Sequence, residues 1–193
     1  MRAIRTDREG ATVVEFALLA PVLVMTVFGL FDMGFNIYAQ TVLQGAVQEA
    51  ARSSTVQSAG GNLTLIDEQV STAVHDVIPG ATLTFTRKSY TNFSDAGLPE
   101  DYTDTNGDGI CDNNEPYEDA NGNGSWDSDR GTNGLGGARD AVLYSVDATY
   151  PRLFPMAGLI GLPQNVSMQA ATILRNQPYS DQSITPVVVR HCP

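Results

Sequence analysis

Cysteine is scarce in this 193-residue chain: there are two, Cys111 and Cys192. Neither lies in a CxxC pair, which argues against a zinc site. If the body of the chain lies outside the cytoplasm, a disulfide between them is expected; two free thiols are the alternative. Positive charge is scarce as well, with 11 Lys and Arg against 22 Asp and Glu. No basic patch exists to meet phosphates, so nucleic acid is not an expected partner. Catalytic sets are missing: no Ser/His/Asp or Cys/His group has motif support. "GLGG" at Gly134–Gly137 lacks the strand–turn–helix setting of a phosphate loop. The expectation is a protein that is not an enzyme. Of the two histidines, His75 sits in a short apolar-periodic stretch and reads as a surface or capping residue.

Charge is nearly absent from one long run. From Ala11 to Phe31 the single ionisable residue is Glu15. As a helix these 21 residues span about 31 Å, close to the hydrocarbon thickness of a bilayer. The run is longer than a signal-peptide core and has no small-x-small exit, so a membrane-spanning helix is expected over residues 11–34. A buried core helix is the competing reading. Arg2, Arg5 and Arg8 precede the run, and the first base after it is Arg52. The positive-inside rule then puts the N-terminus in the cytoplasm and the rest outside. Asp7 and Glu9 offset part of that leading charge.

A lone carboxylate in lipid costs about 2.5–3.5 kcal/mol, so Glu15 needs a partner or a proton. Cleavage after Gly10 would free the α-amine of Ala11, which could neutralise Glu15 within one helix or set the register between neighbouring helices. Here the residues match a family. Gly10-Ala11-Thr12-Val13-Val14-Glu15-Phe16 resembles the processing site of type IV-like prepilins. "REGATVVEFALLAPVLVMTVFGLFDMG", Arg8 to Gly34, is similar to the start of TadE-like pseudopilins of the tight-adherence (Flp) pilus system. "EPYEDANGNGSWD", "YPRLFP" and "LRNQPY" are also similar to stretches of some TadE-like sequences. The resemblance implies a leader, residues 1–10, removed by a prepilin peptidase in the inner membrane. It implies roles in processing and assembly for Gly10, Ala11, Glu15 and Phe16. It implies other pilins and the pilus assembly machinery as partners, and a minor pseudopilin needed to build the pilus.

Proline is absent between Pro21 and Pro79. Tyr38, Val42, Ala46 and Ala50 continue an apolar stripe, flanked by Leu43, Val47 and Ala51, so the helix should run on as an amphipathic segment over 35–57. "SAGGN", Ser58–Asn62, stops it. A second short helix is expected through Leu65-Ile66, Val70, Val74 and Val77-Ile78, ended by Pro79-Gly80. Residues 82–87, 142–150 and 166–172 alternate with period two and read as strands. "PRLFPMAGLIGLP" reads as a turn with a short helix near Phe154–Ile160, and "TPVVVRH" as an edge strand. The expected fold is α+β and pilin-like: a long N-terminal helix on a small antiparallel sheet, with an extracytoplasmic domain over 63–193.

Net charge concentrates in one place. Residues 95–130 hold eleven acids and one Arg, a net of −10, inside an acidic insert over 95–137. Asp104, Asn106, Asp108, Gly109, Asp112 and Glu115 fit the calcium-loop pattern D-x-[DN]-x-[DN]-G-x5-E, with the Ile110 carbonyl at the seventh position. A second loop begins at Asp119 with Asn121, Asn123, Gly124, Ser125 and Asp127. Its twelfth residue is Arg130, so it is either incomplete or borrows Glu118 or Asp129. Cys111 and Trp126 take the eighth positions, which turn inward. Prolines and glycines flank both loops, so calcium loops without EF-hand helices are expected, with a solvated ion-free loop as the alternative. A membrane-anchored calcium-dependent adhesin unrelated to pili is the alternative function.

Overall fold

The structure, a computed structural model, describes residues 9–56, 63–154, 158, 161–176 and 186–193. Helix α1 runs from Glu9 to Val56 and α2 from Leu63 to His75. The strands are β1 (Thr82–Tyr90), β2 (Pro116–Asp119), β3 (Thr132–Asn133), β4 (Ala141–Pro151), β5 (Asn165–Arg175) and β6 (Val188–His191). One sheet has the order β3-β1-β4-β5, all antiparallel; β2 and β6 form a second, two-stranded sheet. The fold is α+β, as expected.

α1 has two halves with different surroundings. Its 48 residues extend about 72 Å, more than a bilayer core needs. The apolar first half is largely exposed: none of its most apolar 18-residue window is buried. Among the described residues it is the helix long and apolar enough to cross a membrane. In the second half, Ala39, Leu43, Val47 and Ala50 recur every three or four residues and are buried. They meet Val70 and Val74 of α2 and Tyr144, Val146, Ala148 and Tyr150 of β4. The burial of β4 alternates strictly from Val142 to Tyr150. Its register sets Val146 opposite Phe85 on one side and Ala170 on the other. Period two on the strand and period 3.6 on the helix thus supply the two facing apolar surfaces.

Polar contacts lock the layers. The Tyr144 hydroxyl and the Arg87 guanidinium both donate to Asp67 Oδ1 of α2, at 2.8 and 2.5 Å. Gln40 Nε2 donates to the Gln169 carbonyl of β5 at 2.9 Å. α2 ends at His75, a turn earlier than Pro79-Gly80 suggested, and passes into a turn in which Val77 N and Ile78 N both donate to the Val74 carbonyl. His75 Nε2 lies 2.9 Å from the Ala81 carbonyl oxygen and its Nδ1 3.0 Å from Ser71 Oγ. His75 thus ties the end of α2 to the residue just before β1. The tail strand β6 does form, but its partner is β2 in the acidic insert rather than an edge of the main sheet. The helix expected near Phe154–Ile160 falls mostly outside the described residues.

Candidate functional site

Two regions carry the candidate residues. The first is the start of α1. Gly10 is already within the helix, and Glu15 and Phe16 are exposed on it. Glu15 makes no ion pair with another described residue. At the far end of the apolar run, Asp32 accepts from Asn36 Nδ2 and pairs with Arg152, just beyond β4. Tyr150 donates to Asn36 Oδ1 at 2.6 Å. Phe28 and Phe31 contact Phe154. A groove of about 680 Å³ opens between Phe28, Met33, Arg152 and Phe154. So the junction of span and domain is a polar lock above an aromatic contact. Asp32 and Arg152 lie 120 residues apart in the sequence and are brought together only by the fold.

Residues 10–52 match the family model described as TadE-like protein. The N-terminal segment is TadE-like. That match covers the apolar span and the part of α1 that enters the core, and ends before the acidic insert. No curated protein and no solved structure gives a significant match to the chain. The exposed apolar helix that carries this match fits a single-pass membrane protein.

The second region is the insert. In the first loop, Asp104 accepts from Gly107 N (2.6 Å) and Gly109 N (2.9 Å), one on each oxygen. Asn106 Oδ1 accepts from Asp108 N, and Asp108 Oδ1 from Ile110 N. Gly109 sits at φ +78°, left-handed backbone that disfavours a side chain, and Gly124 matches it at +84° in the second loop. Asp112 Oδ1 accepts from Asn113 Nδ2 at 2.6 Å and Asn106 Nδ2 at 3.4 Å. Glu115 is 1% exposed. Its Oε1 takes the Thr105 amide and hydroxyl and the Asn106 amide, while its Oε2 is buried with no partner.

The second loop repeats the pattern. Asp119 accepts from Gly122 N (2.7 Å), Asn123 N (3.1 Å) and Gly124 N (3.0 Å). Asn121 Oδ1 accepts from Asn123 N, and Asn123 Oδ1 from Ser125 N. Asp127 Oδ2 receives both Asn121 and Asn123 side-chain amides. Asp119 Oδ2 also accepts from Arg190 Nε of β6 at 2.6 Å. Among the described residues no three acids, imidazoles or thiols converge into a finished cage. The carboxylates instead hold the loop amides, so each loop is shaped by its own oxygens.

Those amide contacts decide the protonation balance. The Gly109 amide, with others behind it, holds the Asp104 carboxyl below its ordinary range, against the upward push of burial. Burial pushes Glu115 and Asp119 up; for Glu115 the Thr105 and Asn106 donors outweigh it, and for Asp119 Arg190 and the glycine amides do. Both are lowered on balance, so the loops are anionic at neutral pH.

The flanks are strands and turns, not EF-hand helices, as expected. Cys111 and Cys192 are joined in a disulfide with a Cα–Cα distance of 5.5 Å. The bridge packs with Tyr117, Tyr102 and Trp126 in a small satellite core. Two expectations for the twelfth residue of the second loop are corrected. Glu118 is exposed on β2, and Asp129 is taken by Lys88 Nζ (2.7 Å) and the Tyr90 hydroxyl (2.9 Å). The residue that reaches the second loop is Glu100, 1% exposed and missed at the sequence level. A signal for it existed: Glu-x-Tyr-x-Asp-x-Asn-Gly-x-Gly-x-x-Asp runs from Glu100 to Asp112 and again from Glu115 to Asp127. Reading each loop from its first aspartate hid the glutamate four residues upstream.

Proposed function

We propose that the chain is a minor pseudopilin, cut between Gly10 and Ala11 by a prepilin peptidase and used in assembling tight-adherence pili. The observation that carries this reading is the family match beginning at Gly10 on a helix whose apolar half is unburied. Such a surface needs lipid or neighbouring apolar helices to cover it. Glu15 lies on that surface, four residues after Ala11, one helical turn on. The new α-amine would offset the carboxylate within the helix or reach that of an adjoining pilin. The flanking arginines favour a cytoplasmic N-terminus, with the α+β domain on the other side of the inner membrane.

We also read the first acidic loop as a calcium site. Asp104, Asn106, Asp108, the Ile110 carbonyl, Asp112 and Glu115 supply the oxygen set that calcium prefers. The unpartnered, buried Glu115 Oε2 supports that reading, because such an atom is costly without a ligand.

The deciding experiment is the intact mass of the protein extracted from membranes of a piliated strain. The expected mass begins at Ala11, and is replaced by the full-length mass in Gly10→Ala or when the peptidase is deleted. Wild-type protein retaining Met1–Gly10 refutes the pseudopilin reading. For calcium, chelator should lower the Tm, and Asp104→Ala with Asp108→Ala should remove that response; an unresponsive wild type refutes the site.

A further inference from the structure

The fifteen-residue repeat is more than a resemblance of composition, because the two copies exchange a residue. Glu115 Oε1 accepts from Thr105 N at 2.6 Å and Asn106 N at 3.3 Å, the second and third amides of the first loop. Glu100 Oε1 accepts from Ala120 N at 2.8 Å and Asn121 N at 3.4 Å, the second and third amides of the second loop. The backbone repeats the match. Glu115 N donates to the carbonyl of Asp112, the ninth residue of the first loop, at 3.0 Å. Glu100 N donates to the carbonyl of Asp127, the ninth residue of the second, at 2.9 Å. Glu100 therefore occupies, in both main chain and side chain, the place that Arg130 cannot fill. Arg130 itself turns away to the Pro99 carbonyl and Asp101. Between the copies, Tyr102 and Tyr117 meet in an antiparallel bridge, so the two halves face each other.

From this arrangement we propose a reciprocal two-calcium module over 100–127: each glutamate precedes one loop by four residues and closes the other. The proposal rests on the calcium reading of the first loop and extends it to a second site with an unexpected ligand. Three acids, Glu100, Glu115 and Asp119, are each 1% exposed within a segment, 100–127, that carries no Lys or Arg. Buried carboxylates demand counter-charge, and backbone amides supply only part of it. That deficit is visible at Glu115 Oε2, buried without a hydrogen-bond partner, whereas Glu100 Oε2 accepts from Asp127 N at 3.0 Å. In the second loop Arg190 of β6 supplies one positive charge to Asp119, so that loop is partly compensated and binds the more weakly of the two. The cation is hard and oxygen-seeking, and an irregular cage of carboxylates, amide oxygens and a carbonyl suits calcium rather than magnesium.

The test uses the full chain in detergent micelles, titrated with calcium by calorimetry and with terbium by luminescence. The single tryptophan, Trp126, is the eighth residue of the second loop, so tryptophan-sensitised terbium emission reports that loop. The wild type should take two calcium ions, the second more weakly. Glu100→Gln, which keeps the side-chain shape, should weaken the weaker event by about tenfold or more and remove the sensitised emission while sparing the tighter event. Asn123→Ala, at an exposed ligand position of the same loop, should do the same; Glu118→Gln should change neither. Near-ultraviolet circular dichroism of the tyrosine core confirms that each variant is folded. One calcium ion, lost in Glu115→Gln and unaffected by Glu100→Gln and Asn123→Ala, overturns this proposal and leaves the first site standing. No calcium bound by the wild type overturns both.

Discussion

Truncating Leu43 tests whether α1 is one element serving two solvents. Leu43 is wholly buried (0% exposed) among α2 and β4 side chains, and Leu23, five and a half turns earlier, is 60% exposed on the apolar span. Leu→Ala at a packed site removes the transfer energy and leaves a cavity, which together cost about 2–5 kcal/mol. Taking about 3 kcal/mol, the unfolding equilibrium of the domain shifts by about a hundredfold. Leu23→Ala removes no contact with the domain and should change its stability by less than about 0.5 kcal/mol. The assay is urea unfolding of the full chain in micelles, followed by near-ultraviolet circular dichroism. That signal comes from core tyrosines such as Tyr144 and Tyr150 and is blind to the span. The midpoint should fall for Leu43→Ala with an unchanged slope. Equal midpoints for the two variants would mean that the second half of α1 is not part of the domain's core.

Three further outcomes are expected. Cys111→Ser with Cys192→Ser opens a loop of sequence separation 81 and should cost up to about 4.5 kcal/mol in the chain-entropy model, read as a lowered Tm that reductant no longer affects. Gly136→Ala should destabilise by about 1–3 kcal/mol in the same urea assay, because its φ is +61° and a Cβ would lie 2.6 Å from that of Ser89. Tyr90 is pushed up to about 12, by burial first and then by its bond to Asp129. Its folded value exceeds its unfolded one, so its contribution is intact below pH 10 and is lost as pH rises from about 10 to 12. In ultraviolet titration one tyrosine should ionise near 12 in the wild type and shift down in Asp129→Ala.

The parts of the fold legible in the sequence are those where periodicity meets a single environment. α1 is predictable from the missing prolines, its charge-free run and an apolar stripe, although the buried line runs through the flanking Leu43 and Val47 while Tyr38, read as part of the stripe, is exposed. β4 is predictable because Val142 to Tyr150 alternates without a break. What was hidden depended on distant partners. β2 has a proline and three polar or aromatic residues, and becomes a strand because Val188–His191 lies beside it. Arg152 looked like a loop residue until Asp32 came within reach through the fold. Glu100 was hidden for a different reason. A loop motif is written as a contiguous window, and the second loop takes its closing carboxylate from nineteen residues before its own first aspartate.

The layout of β4 fixes where the acidic module stands relative to the span. Ala141, its first residue, pairs with Tyr90, whose hydroxyl holds Asp129 at the base of the insert. At its other end Tyr150 and Arg152 bind Asn36 and Asp32, where the apolar run of α1 stops. Eleven residues of strand separate those ends by about 33 Å. That distance is several Debye lengths at physiological salt, so the segment of net −10 is electrostatically screened from the end of the apolar helix. The end nearer the span keeps its Asp32 charge compensated by Arg152. Because Ala39, Leu43, Val47 and Ala50 of α1 lie in the same core as β4, span and sheet are joined by packed side chains without an intervening linker. A force along the span is therefore delivered to the sheet, and through Tyr90, Lys88 and Asp129 to the module at its far end. The disulfide and the Arg190–Asp119 pair tie the C-terminal strand to that same module, so its ordering secures the tail as well as the loops.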